Sequence, residues 1–117
     1  MTFPLVAILP IAMLLASNIF MTLAWYGHLK YPHAPITLVI LASWGIALLE
    51  YCLAVPANRI GYGYYTATEL KTIQEVITLM VFIGFSILYL GEKITFQHLL
   101  GFAVIAVGGY LVFSAPK

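Results

Sequence analysis

Residues 36–55 read ITLVILASWGIALLEYCLAV, twenty consecutive positions with one charged side chain, Glu50. At about 1.5 Å per residue, a helix of that length covers the ~30 Å of a bilayer's hydrocarbon core. A membrane β-strand would be about half as long and would alternate in polarity, which this stretch does not. The run stops at Pro56-Ala57-Asn58-Arg59. On its N-terminal side, a second apolar run from Pro4 to Trp25 ends in the polar stretch from Gly27 to His33. On its C-terminal side, a Gly- and Tyr-rich connector, Ile60 to Thr66, leads to residues 67–90, and the turn Gly91-Glu92-Lys93-Ile94-Thr95 feeds a fourth run. The pattern predicts a single all-α domain of four transmembrane helices, at about 4–25, 36–55, 67–90 and 97–114, in an up-down bundle with no soluble domain. Trp25, Tyr26, Tyr31, Tyr62, Tyr64, Tyr65 and Tyr89 fall at the ends of the runs, where an aromatic belt meets the headgroups.

Composition agrees. Of 117 residues, 63% are hydrophobic and 8% charged, and the mean hydropathy is +1.04; soluble domains are about 25% charged. That excludes a disordered chain and a nucleic-acid binder with a basic face. The lone Cys52 cannot form an intrachain disulfide. The first run lacks the basic flank and cleavage site of a secretory signal. Arg59, Lys71 and Lys117 fall on the side of the termini and Lys30 and Lys93 on the other, almost no positive-inside bias. Two arrangements follow: one orientation with cytoplasmic termini, or insertion both ways and an antiparallel homodimer.

The stretch Tyr89-Leu90-Gly91-Glu92-Lys93-Ile94-Thr95, with Leu100-Gly101-Phe102 and Val107-Gly108-Gly109-Tyr110, resembles the last helical hairpin of the drug/metabolite transporter superfamily. The whole chain is similar to an uncharacterised four-helix group of that superfamily, related to the small multidrug resistance exporters. Ser17-Asn18-Ile19-Phe20-Met21-Thr22, Trp25-Tyr26-Gly27-His28-Leu29-Lys30, Glu50-Tyr51-Cys52, Val55 to Tyr62 and Ile73-Gln74-Glu75-Val76-Ile77-Thr78 carry the likeness. The resemblance implies a bacterial inner-membrane protein, alternating access and export of a small molecule through a homodimer. It also implies a dimer contact on the last helix, where Gly101 and Gly108 stand seven apart. One departure is decisive for mechanism: the first helix has no acidic residue where those exporters carry their proton-binding carboxylate. Its polar centre is Ser17, Asn18 and Thr22.

Ionisable groups inside a bilayer cost about 2.5–3.5 kcal/mol at a helix centre, so each needs a partner or a purpose. Glu50 shares a helix face with Ser43, Ala47 and Ala54, a small and polar stripe that points at other helices. Glu75 enters from the next helix through the same connector. If their faces meet, one carboxyl holds a proton that a cationic substrate can displace. In the competing reading both glutamates are ionised struts, with Arg59 capping one of them and Lys71 pairing with Glu75 four residues on. Asn18 is either an interhelical clasp or a cavity group, and Trp44 either a cation–π wall or packing. Gly101, Gly108 and Gly109 allow close backbone approach. His28, His33 and His98 lack the support of a metal set, and no nucleophile–base pair, phosphate loop or cofactor fingerprint occurs. The expectation is a non-enzyme without cofactor or metal, whose partners are the lipid bilayer, a second copy and an unidentified small molecule. A non-transporting accessory subunit is the alternative. Glu69, Glu92, Lys93 and Lys117 read as solvated or headgroup charges.

Overall fold

Two prolines and two threonines start the helices. In the computed structural model, which describes residues 4–116, Pro4 and Pro35 are extended and lead into α1 (Leu5–Tyr26) and α2 (Ile36–Gly61). Thr66 and Thr95 open α3 (Ala67–Leu88) and α4 (Phe96–Ser114) with capping boxes, closed by Glu69 and His98 respectively. Each box satisfies backbone N–H groups that the first helical turn leaves without partners. His98 Nδ1 accepts the Thr95 N–H at 3.0 Å, which commits that ring nitrogen to a structural bond. A 3-10 turn, Gly27–Lys30, extends α1. All four helices are long and apolar enough to cross a membrane. Lys117 lies outside the described residues.

α2 departs from the expected boundary at Val55: it runs on through Pro56 to Gly61, 26 residues in all. Pro56 has no N–H for the Cys52 carbonyl, a defect that packing makes tolerable within a membrane helix. The packing is visible. Ala57 is fully buried in one cluster with Leu14, Ala54 and Ile77, and Gly61 is buried against Pro10 and Leu70. A Cβ at Gly61 would stand 2.9 Å from Leu70 Cδ2 and 3.2 Å from the Pro10 ring. Leu70 is itself buried and the ring cannot rotate aside. Gly61→Ala is therefore expected to cost about 1–3 kcal/mol in thermal unfolding of the reconstituted protein. Gly45→Ala, where a Cβ meets nothing within 4 Å, serves as the silent control.

α1 is the hub. It packs along α2 and against α3, whereas α2 and α3 touch over little beyond the turns next to their connector. Ala7, Pro10, Leu14, Ser17, Asn18, Thr22 and Ala24 are its buried positions. Tyr65 in the connector donates its hydroxyl to the Ala7 carbonyl at 2.9 Å, tying the connector to the start of α1. Burial pushes that phenol's pKa up, with Tyr64 and Glu69 adding to the effect, so it remains a donor. At the other end Tyr89 donates to the Gly27 carbonyl at 3.2 Å, and Lys30 Nζ lies 4.4 Å from the centre of its ring. α4 stands outside this three-helix group and packs against α3. Gly109 meets Thr72 and Val76 there, each at 3.5 Å from the position of an added Cβ.

Candidate functional site

The polar centre of α1 faces α3. Asn18 is fully buried, and its side-chain amide donates to the Leu14 carbonyl at 2.8 Å. The Ser17 hydroxyl donates to the same carbonyl at 2.9 Å. Asn18 Oδ1 accepts from the hydroxyl of Thr78 on α3, sixty residues along the chain. Thr78 also lies 2.7 Å from the Gln74 carbonyl on its own helix. A hydroxyl has one hydrogen, and only donation to Asn18 satisfies a buried amide oxygen that has no other donor. Above this bond a cleft of about 430 Å³ opens between α1 and α3, with Thr22 and Thr78 in its wall and Trp25, Tyr26 and Phe82 around it. The Tyr26 and Phe82 rings meet edge to face at 4.9 Å.

Glu50 occupies the packed side of α2. Among the half-buried or buried positions of that helix, Ser43, Ala47, Glu50, Ala54, Ala57 and Gly61 form one stripe, on the side toward α1. Pro10 lies beside Gly61, and Leu14 clusters with Ala57. Continued along the antiparallel pair, that stagger sets Glu50 level with Met21, one turn from Asn18. The extension of α2 to Gly61 also changes its depth: eleven residues separate Glu50 from the helix end, ~16 Å. Arg59 makes no ion pair with it, nor with Glu75.

Glu75 goes elsewhere. It pairs with Lys71 at 2.8 Å on the exposed side of α3, both side chains more than half accessible. With α2 and α3 so little in contact, the structure does not bring the two carboxylates onto a shared seam. Trp44 is 69% exposed and borders a groove between α1 and α2 with Ser43 and with Trp25, which also borders the cleft beside Thr78. Gly101 and Gly108 have nothing within 4 Å of an added Cβ. Among the described residues no group of three or more His, Cys, Asp or Glu side chains is placed to hold a metal.

Two residues matter more than their sequence context indicated. Thr78 is the partner of Asn18; the available signal was depth, since each lies more than ten residues into its helix in parallel strokes of the chain. Glu92 is not simply solvated. Its carboxylate accepts from the buried Ser86 hydroxyl at 2.7 Å, and its N–H donates to the Ser86 carbonyl at 3.0 Å. Gly91, at φ 73°, makes the left-handed turn that folds Glu92 back onto α3.

No curated protein and no solved structure matches the chain. Residues 10–113, which include all four helices in whole or in greater part, match the family DMT_6, described as "Putative member of DMT superfamily (DUF486)". With a match across most of its length, this multi-pass membrane protein belongs to that family.

Proposed function

We propose that the protein is a small-molecule transporter that works as a homodimer in the bacterial inner membrane, with Glu50 as the group that exchanges a proton for a cationic substrate. Family membership supports transport as the class of activity. The observation that carries the mechanism is Glu50 itself: a carboxyl on the packed face of α2, deep in the span, with no ion-pair partner among the described residues. An ionised carboxylate there requires a counter-charge, and a proton or an organic cation supplies it in turn.

Thr22 and Thr78 line the cleft from α1 and α3 and offer hydroxyl oxygens to a bound substrate, while the buried Asn18 beneath them fixes the Thr78 hydroxyl. Glu75, satisfied by Lys71, has a structural part. A lone copy encloses little. Two features favour a second copy: the open glycine face of α4, and the charged Lys71–Glu75 pair left on the outside of α3.

The accessory-subunit reading has its own support in the internal pairing of Asn18 with Thr78 and of Ser86 with Glu92. Proteoliposomes on a solid-supported membrane separate the two. Transport predicts charge movement when small organic cations meet an opposing proton gradient, and an accessory subunit predicts none. Cross-linking through a cysteine introduced at Gly108, in a Cys52→Ser background, reads whether copies meet at α4.

A further inference from the structure

We propose that the groove between the end of α2 and the start of α3 binds the phosphodiester headgroup of an anionic phospholipid. The groove has a volume of about 420 Å³ and is lined by Asn58, Arg59, Tyr62, Lys71 and Gln74, with Val55 among its apolar residues. The side chains of Asn58, Arg59, Tyr62 and Gln74 make no hydrogen bond or ion pair with any described residue. Four polar groups that converge on one groove without partners of their own suit an external acceptor of hydrogen bonds.

Charge and depth select the ligand. Arg59 and Lys71 contribute two positive charges and Glu75, 2.8 Å from Lys71, removes one. Glu69 does not line the groove, and its charge faces the positive N-terminal end of α3, where its Oε1 accepts the Thr66 N–H. A net charge of about one matches a phosphodiester, which carries a single negative charge, better than inorganic phosphate, which approaches two near neutral pH. Arg59 stands two residues before the end of α2 and Lys71 four after the start of α3, about 3 and 6 Å inside the helix ends. That is headgroup depth. Val55, one turn deeper than Arg59, continues the wall toward the hydrocarbon, where an acyl chain runs. Cationic pockets between membrane helices at this level are a recurring means of holding acidic lipids.

The full chain is reconstituted in vesicles of equal parts phosphatidylglycerol and phosphatidylcholine with identical acyl chains, and native mass spectrometry counts the lipids retained. Wild type is expected to hold phosphatidylglycerol in excess. Arg59→Gln/Lys71→Gln is expected to lose that excess by about tenfold, and Lys93→Gln, at the opposite end, to keep it. Should the double variant fail to fold, each single substitution is read in its place, with a partial loss expected. Equal retention by wild type and the groove variants overturns the proposal. So does displacement of the lipid by inorganic phosphate, which would make this a site for the free ion.

Discussion

Thr78→Val is expected to destabilise the folded protein by about 1–3 kcal/mol, and Asn18→Leu by less, about 0.5–1.5 kcal/mol. The asymmetry comes from what each substitution strands. Valine keeps the shape of threonine but removes the donor to Asn18 Oδ1, and that oxygen is fully buried. Leucine removes the amide, and the Thr78 hydroxyl then turns to the Gln74 carbonyl 2.7 Å away on its own helix. Interhelical hydrogen bonds in membranes are modest because the separated helices find alternatives; here Thr78 has one and the Asn18 oxygen does not. The double variant is accordingly expected to cost little more than Asn18→Leu alone, a coupling of about 1–2 kcal/mol. Equilibrium unfolding of the four proteins in lipid bicelles measures it. Additive costs would remove the Asn18–Thr78 bond from the account of how α1 holds α3.

Glu50→Gln is expected to abolish proton-coupled exchange while leaving the fold in place. The neutral amide has nearly the same shape, and no ion pair to Glu50 exists among the described residues for the substitution to break. Unfolding free energy should move by less than about 1 kcal/mol. Transport of an organic cation should fall by about 10²-fold or more, since a charge left without its counter-charge inside the membrane costs about 2.5–3.5 kcal/mol. Infrared difference spectra, wild type minus Glu50→Gln, provide the second reading: addition of the transported cation should convert a carboxylic acid band to a carboxylate band. A variant that retains exchange, or that loses its fold instead, removes Glu50 from the coupling role. Glu75→Gln breaks a pair whose members are both exposed, and its expected cost is small.

The spans were legible in the sequence because apolar runs of twenty residues have few other destinies. The end of α2 was not. Pro56-Ala57-Asn58-Arg59 reads as punctuation when only the local chain is considered, yet Ala57 and Gly61 are exactly the small residues that let α2 press against Leu14 and Pro10. Tertiary packing overrode the local signal. Asn18 declared itself as a polar residue at mid-span, whereas Thr78 did not, since a threonine in a helix commonly bonds back to its own backbone. The predicted encounter of Glu50 with Glu75 assumed that helices adjacent in sequence pack side by side. In the structure the central position belongs to α1, so the polar side of α3 is spent on Asn18 and on the turn at Glu92.

The bond between Asn18 and Thr78 joins the first helix made to the third. Sixty residues of synthesis separate them, and at ~5–20 residues per second that is an interval of about 3–12 s. Throughout it α1 rests in the translocation machinery or in lipid with its amide oxygen unmet, and α2, which packs along α1 without supplying the donor, cannot end the wait. The first helix thus depends on the third for the one donor its mid-span amide oxygen takes, and a chain truncated before Thr78 is expected to leave that oxygen unsatisfied in the membrane.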